Sequence, residues 1–330
     1  MSHSLHKELL VEIESGLNHL QLPQTPETLY QSFKYALNGG GKRIRPILSL
    51  LGCGMCGGQT NEALPAAIAV EILHNFTLVH DDIMDSAETR RGRASVYKKW
   101  DQNIAILGGD VMFAKAAQQL GYYGNEESYS KKEFSDINEV FLNSTVTVCE
   151  GQALDMEFVT RDSVSHEEYL EMIAGKTAAL LSGALEMGGI AGHASPEQRG
   201  NLKELGLCMG LAFQIQDDLL DATADPERFG KKPGGDIFEG KKTYLTILAL
   251  ERADEDQSKI INETLDAELP TEESVNEVLS IFKKLNVLED AIQEISDRYN
   301  RAYELLANFS DSKYKTELKN LLIFLQNRDH

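Results

Sequence analysis

The chain is poor in the residues that build several common sites. Four cysteines occur in 330 residues, and only Cys53 and Cys56 lie close together, as a lone C-x-x-C in LLGCGMCGG. A structural zinc site wants four ligands at paired spacing. Cys53, Cys56, Cys149 and Cys208 are therefore expected to be small apolar residues packed in helices. Basic residues are also scarce: 32 Lys and Arg against 52 Asp and Glu give a formal net charge of −20. That balance excludes nucleic acid, whose phosphates need a basic face. Any phosphate-binding site must then be a local exception, built from few basic side chains or from metal ions. No stretch approaches the ~20 uninterrupted apolar residues of a membrane span. The N-terminal MSHSLHKELLVEIESGL carries Glu8, Glu12 and Glu14 among its apolar residues, which is not the pattern of a signal peptide. The expectation is a soluble, cytoplasmic protein.

Strand-like alternation is scarce too. Apolar residues recur instead at spacings of three and four, predicting helices near 5–20, 27–38, 45–57, 62–82, 100–121, 131–158, 166–189, 195–222, 243–265, 272–287, 289–308 and 312–327. Short polar caps precede acidic first turns, as at Ser163-Val-Ser-His-Glu-Glu and Ser195-Pro-Glu. The eight prolines fall mostly at apparent boundaries, among them Pro23, Pro26, Pro196, Pro226 and Pro233. With no fixed-length repeat and no low-complexity linker, one all-α domain over residues 1–330 is the economical reading.

What the chain does have is acid in two dense clusters. LVHDDIMDSAETRRGRAS, residues 78–95, places Asp81, Asp82 and Asp85 just before Arg90, Arg91 and Arg93. Carboxylates this close repel unless a cation lies between them. Gly92 and the turn-like Ser86–Ala87 suggest that the helix has ended, so pairing along a helix face cannot bring the arginines back. FQIQDDLLDATADPERFGKKPGGDIFEGKKTYL, residues 213–245, repeats the D-D-x-x-D spacing at Asp217, Asp218 and Asp221 and is followed by Lys231, Lys232, Lys241 and Lys242. Residues i and i+4 of a helix lie roughly 40° apart around the axis and about 6 Å apart along it. Carboxylates so placed share hard cations, and Mg²⁺ usually completes its octahedron with water and substrate phosphate. Two such clusters on facing helices would hold a diphosphate through bridging Mg²⁺, with trailing Lys and Arg taking the remaining oxygens. A single cluster would more simply be a solvated helix end. Two copies, each interleaved with apolar residues such as Leu78, Val79 and Ile83 or Ile215, Leu219 and Leu220, argue against that.

Upstream, Gly39-Gly-Gly-Lys-Arg-Ile-Arg-Pro46 offers close backbone approach together with Lys42, Arg43 and Arg45. It lacks the Walker A pattern, and alone it would be an ordinary interhelix loop. His74 lies seven residues before Asp81, on nearly the same helix face; a satisfied core histidine is the commoner reading of such a residue.

Taken together, GGKRIRP, ILHNFTLVHDDIMD, TRRGRAS, LGGD, AGKTAAL, FQIQDDLLD and GDIFEGKKT, in that order over residues 39–243, resemble the trans-isoprenyl diphosphate synthases. Members of that family elongate an allylic diphosphate with isopentenyl diphosphate. The resemblance implies an antiparallel helical bundle of the isoprenoid synthase type around a deep central cavity, usually in a homodimer. It implies that Asp81, Asp82, Asp85, Asp217, Asp218 and Asp221 hold Mg²⁺, three ions once the allylic diphosphate is bound, with Asp81, Asp85 and Asp217 the direct ligands. Arg90, Lys176, Lys231 and Lys241 would contact that diphosphate. Lys42, Arg45, His74 and Arg91 would bind isopentenyl diphosphate without metal. Thr177 and Gln214 would present oxygens to the developing allylic cation, although helix packing is the simpler account of Thr177 alone.

Product length follows from the helix that ends at Asp81. Phe76 and Thr77 lie five and four residues earlier, about 6–8 Å deeper along the axis. In the family, an aromatic residue at the position of Phe76 is the usual floor. Thr77 is small, and DDIMD lacks the two-residue insertion of typical bacterial farnesyl synthases. The pattern resembles the archaeal short-chain type and implies geranylgeranyl diphosphate (C20), with farnesyl diphosphate the alternative. A terpene cyclase is disfavoured by DDLLD and by GGKRIRP, which a one-substrate enzyme does not need. A noncatalytic subunit is disfavoured because both acidic clusters are intact.

Overall fold

The computed structural model describes residues 3–223 and 233–328, and helices account for most of them. In chain order they are α1 (His3–Asn18), α2 (Glu27–Leu37), α3 (Ile44–Met55), α4 (Thr60–Met84), α5 (Val96–Lys99), α6 (Gln102–Asn125), α7 (Lys131–Thr160), α8 (His166–Ile173), α9 (Ala179–Ala191), α10 (Pro196–Thr223), α11 (Gly235–Phe238), α12 (Tyr244–Arg252), α13 (Glu255–Leu265), α14 (Glu272–Lys284), α15 (Val287–Ala307) and α16 (Lys313–Gln326). The expected all-α class holds. Strand β1 (Thr89–Arg90) pairs antiparallel with β2 (Arg93–Ala94) in a hairpin that helical periodicity could not reveal.

Two compact units make up the chain: Met1–Thr145 with Leu180–Lys203 and Asn308–Asn320, and Val146–Ala179 with Glu204–Ala307 and Leu321–His330. In the first, α4 packs against α1, α2, α3, α5 and α6. Ala63, Ala66, Ala67, Ala69, Val70, Ile72 and Leu73 are fully buried, so α4 is enclosed on most of its circumference. Its alanines let neighbouring backbones come near. By length and composition α4 is also apolar enough to cross a membrane, but 61% of its most apolar window is buried here, as in a core helix. A reciprocal cap between Gln59 and Glu62 starts α4, and Asp85 caps its end. Ser86 (φ 52°) then turns the chain into the hairpin, whose two-residue turn is Arg91 (φ 53°) and Gly92 (φ 72°). Left-handed conformations at both positions match the right-handed twist of the strands.

In the second unit, α12 packs against α8, α13, α14 and α15. The segment predicted as one helix over 243–265 breaks at Ala253–Asp254, where Asp254 caps α13 and accepts from the Gln257 amide. The helix predicted over 166–189 contains a wide π turn at Ala174–Ala178, between α8 and α9. Backbone crowding accompanies the widening: a Cβ on Gly151 of α7 would lie 2.2 Å from the Lys176 amide nitrogen, and one on Gly175 would lie 2.8 Å from the Thr147 carbonyl oxygen.

The cysteine reading is corrected in part. Cys53 and Cys208 are buried, Cys56 is half-buried and Cys149 is exposed on α7; none is in a disulfide. Burial pushes the Cys53 and Cys56 thiols up to about 12, which makes both unreactive near neutral pH.

Candidate active site

The C-terminal turn of α4 carries the first acidic cluster. At 100° per residue, Asp82 faces 100° away from Asp81 and turns inward, to 3% exposure. The Asp81 side chain keeps 18% of its surface. Contrary to the sequence reading, an arginine does return to these acids, by way of the hairpin rather than the helix face. Arg90 Nε donates to Asp82 Oδ1 at 2.7 Å, and Arg90 Nη2 donates to Asp81 Oδ2 at 3.2 Å. Even so, burial raises the Asp82 carboxyl above the ordinary carboxylate value, against the opposing pull of Arg90. Asp85, the C-cap, is exposed.

In the same unit a group of cations gathers around Arg45. Arg45 Nη1 lies 3.2 Å from His74 Nε2. Guanidinium only donates, so His74 Nε2 accepts and its ring proton belongs on Nδ1. Arg91 donates to the Gly40 carbonyl, and its guanidinium lies against Gly41, where a Cβ would come within 2.9 Å of Nη1. Gly41 holds φ 138°, a backbone conformation that favours glycine. Burial lowers the Arg45 pKa to about 10, with Arg91 adding to the effect and Glu71 opposing it. Burial, then Arg45 and Arg91, hold His74 well below the usual histidine value, so the imidazole is neutral. Arg45 Nε is buried with no hydrogen-bond partner. The nearby acid, Glu71, is engaged elsewhere: it accepts from Arg43 Nη1 at 2.6 Å and from Asn75 Nδ2 at 2.9 Å. Arg43, grouped with Lys42 and Arg45 as a source of local charge, is 6% exposed and turned inward to Glu71, Glu14 and the Leu37 carbonyl. Its role is to hold the loop in shape. Lys42 stays exposed. Concentrated positive charge with an orphaned buried donor is chemically suited to a multiply charged anion.

The second acidic cluster, at the end of α10, repeats the helical geometry with different partners. Asp218 is 5% exposed and accepts from the Tyr169 hydroxyl, from the Tyr244 amide at 3.0 Å and from Gln214 Nε2 at 3.3 Å. Burial pushes its carboxyl up to about 7. The Asp217 side chain is 44% exposed and pairs with Arg328, whose guanidinium lies 4.1 Å from the Phe213 ring centroid. Asp221 accepts from the Asp236 amide at 2.9 Å, beside Gly235. In this unit Thr177 Oγ1 donates to Gln214 Oε1 at 2.9 Å, so Thr177 joins a polar chain to Asp218 rather than merely packing. Lys176 pairs with Asp155 at 2.5 Å. Lys241 pairs with Glu239 at 2.5 Å and with Asp236 at 3.5 Å. Lys231 and Lys232 lie outside the described residues.

Several groups here escape sequence reasoning. Asp236 is pushed up to about 6 by burial and by Asp221, and the signal for it was its place inside GDIFEGKKT. Asp155, Tyr169 and Arg328 gave no local signal, since each meets its partner only through the fold. Among the described residues no three acids converge into a ready-made metal cage. Hard carboxylate oxygens at i and i+4, partly exposed, nonetheless fit Mg²⁺, which typically uses one or two carboxylates and completes its shell with water and substrate phosphate.

Residues 26–282 match the family model described as polyprenyl synthetase. The chain belongs to the polyprenyl synthetase family. It is 41% identical over 307 residues to a short chain isoprenyl diphosphate synthase of Methanothermobacter thermautotrophicus, covering 93% of this chain and 92% of that protein. A geranylgeranyl diphosphate synthase of Methanosarcina mazei is 42% identical over 251 residues, covering 74% and 76%. Among solved structures, geranylgeranyl pyrophosphate synthetase from Pyrococcus horikoshii superposes with a TM-score of 0.91 at 36% identity, over 98% of this chain and 97% of that one. The fold is therefore the all-α isoprenoid synthase fold, and the chain is a prenyltransferase by family. Prenyl chain elongation in the family uses Mg²⁺, and its substrates are isopentenyl and allylic diphosphates.

Proposed function

We propose that the protein condenses isopentenyl diphosphate with an allylic diphosphate and releases geranylgeranyl diphosphate. The observation that carries this reading is the pair of cations Arg45 and Arg91 beside neutral His74, with an unpartnered buried donor on Arg45, in the same unit as Asp81 and Arg90. A terpene cyclase needs no second diphosphate and would have no use for it. We assign Lys42, Arg45, His74 and Arg91 to isopentenyl diphosphate, and Arg90, Lys176, Lys231 and Lys241 to the allylic diphosphate. Asp81, Asp85, Asp217 and Asp221 hold the Mg²⁺ ions, three with substrate bound. Asp82 and Asp218 turn inward and fix the geometry of their clusters. Residues 26–282 draw on both compact units, which supports reading 1–330 as one synthase domain.

Mg²⁺ held by Asp81, Asp85, Asp217 and Asp221 would supply positive charge to the departing pyrophosphate. Arg90, Lys176 and Lys241 add positive charge where negative charge develops. Thr177 and Gln214, bonded to each other and braced by Asp218, turn oxygens toward the allylic cation. The isopentenyl double bond attacks that cation, and a proton then leaves the adduct, to a pyrophosphate oxygen. Exclusion of water from the reacting centre would prevent trapping of the cation.

Chain length rests on Phe76. Its ring lies 4.8 Å from His80 and 6.0 Å from Phe113, and Phe113 stacks at 6.1 Å on Phe141. A floor backed by two further rings resists displacement by a growing tail. Thr77 Oγ1 donates to the His74 carbonyl at 2.8 Å, which folds the small side chain back onto its own helix. The relatives named for geranylgeranyl diphosphate favour C20 over farnesyl diphosphate for this chain. The assignment extends to a homodimer, the usual state that the family resemblance implies. A soluble, cytoplasmic enzyme is the matching setting, with four cysteines outside disulfides.

Incubation with labelled isopentenyl diphosphate and dimethylallyl, geranyl or farnesyl diphosphate, followed by chromatography, tests the assignment. Accumulation of C20 is expected, and accumulation of C15 would overturn the chain length. Phe76→Ala should lengthen the product and Thr77→Phe should shorten it.

A further inference from the structure

The hairpin β1–β2 has only two residue pairs, Thr89 with Ala94 and Arg90 with Arg93. A ribbon that short does not hold its own position. Yet its two adjacent arginines diverge toward different tasks. Arg90 turns to Asp81 and Asp82, whereas Arg91, in a left-handed conformation, turns to Gly40 and Gly41 beside Arg45 and His74. Something must fix the ribbon against the glycine loop.

Arg93 and Tyr35 supply that anchor. Arg93 Nη1 donates to the Asn38 carbonyl at 2.7 Å, at the C-cap of α2. The Arg93 guanidinium lies 4.0 Å from the Tyr35 ring centroid, and Lys99 Nζ lies 3.8 Å from the same centroid. Trp100 meets that ring edge-on at 5.2 Å. From the last turn of α2 the Tyr35 hydroxyl donates to the Ala94 carbonyl at 2.8 Å, closing the clamp on β2. A cation over an aromatic face is favourable, and Arg also presents its planar donors to a carbonyl.

We propose that Arg93 and Tyr35 are positioning residues for isopentenyl diphosphate: they set the distance between the Arg91 guanidinium and the Arg45–His74 pair without touching substrate. The proposal rests on the assignment of Arg45, His74 and Arg91 to that diphosphate. Arg90 is held separately by two carboxylates, so loosening the clamp displaces Arg91 first. The affinity for isopentenyl diphosphate falls, while the allylic side is spared.

Steady-state kinetics with each substrate varied at saturation of the other tests this. In Arg93→Ala the KM for isopentenyl diphosphate should rise about tenfold, the worth of one charge-assisted contact, with kcat and the allylic KM within about twofold of wild type. Arg93→Lys keeps a cation over Tyr35 and a donor for Asn38, and should recover most of the loss. Tyr35→Phe keeps the ring under Arg93 and removes only the bond to Ala94; the same KM should rise about threefold. An isopentenyl diphosphate KM unchanged in both Arg93→Ala and Tyr35→Phe, or an equal rise in both KM values, overturns the proposal. Failure of the underlying assignment shows separately, as an Arg45→Ala variant in which the allylic KM rises and the isopentenyl diphosphate KM does not.

Discussion

The two acidic clusters share one spacing and differ in nearly everything else. At the end of α4 the inward carboxylate, Asp82, is met by an arginine eight residues downstream in sequence. At the end of α10 the inward carboxylate, Asp218, meets a tyrosine hydroxyl and a backbone amide. An ion pair keeps Asp82 beside a permanent positive charge, whereas neutral donors leave burial to push Asp218 up to about 7. In both clusters the second aspartate is the buried one, at 3% and 5% exposure, because a 100° turn per residue separates it from the first. The repeated motif thus specifies which carboxylate turns inward. The partners, brought in from elsewhere in the chain, decide what that carboxylate does.

The largest effect should come from the outward acids. On the proposed assignment, Asp81→Ala and Asp217→Ala would each remove a ligand for the cation that supports the departing pyrophosphate, a contribution of several kcal/mol, so the single-turnover rate should fall roughly a thousandfold. The fold should survive both changes: Arg90 keeps Asp82 when Asp81 is lost, and in Asp217→Ala the relief of like-charge repulsion offsets part of the loss of the Arg328 pair. Near-normal turnover in one variant alone would break the symmetry between the clusters.

Next in size, Arg45→Ala should raise the KM for isopentenyl diphosphate by the roughly 1.5–3 kcal/mol of a charge-assisted contact. The allylic KM should stay near wild type. Equal increases in both would mean that the basic loop serves the wrong diphosphate.

The inward acids sharpen the comparison. Asp218→Asn replaces an acceptor that serves Tyr169, Tyr244 and Gln214 at once, and should cost about 1–3 kcal/mol in urea denaturation. Asp82→Asn leaves Arg90 beside Asp81 and with a third of its side chain in water, so its stability cost should be smaller. A larger loss in Asp82→Asn would reverse the assigned roles.

The smallest effect concerns protons. Arg45, Arg91, Arg90 and Arg43 surround His74, and with burial they hold its folded pKa below the ordinary 6.5. The unfolded chain therefore binds the extra proton first, and stability rises with pH in that window. This contribution is complete above pH 6.5 and is lost as the pH falls below it. His74→Gln should flatten the corresponding part of the stability profile, read as the difference from wild type.

Much of this was legible in sequence because it depends on local periodicity. The helices, both D-D-x-x-D faces and the basic loop before α3 follow from spacing alone. The return of Arg90 was not, because Ser86, Arg91 and Gly92 make a hairpin that helical periodicity does not encode. The π turn that carries Lys176 and Thr177 depends on Gly151 of another helix, some 25 residues earlier. Arg43 looked like its neighbours Lys42 and Arg45 until Glu71, 28 residues away, drew it inward. Local pattern reveals which face a residue occupies, and tertiary contact decides its partner.

The most direct test of the division between inward and outward acids is a Mg²⁺ titration of single-turnover prenyl transfer in Asp81→Asn, Asp82→Asn, Asp217→Asn and Asp218→Asn. The outward variants should need at least about tenfold more Mg²⁺ for half-maximal rate, as expected for loss of one charged ligand, while the inward variants keep the wild-type requirement. Equal shifts in all four, or larger shifts in the inward pair, would contradict it.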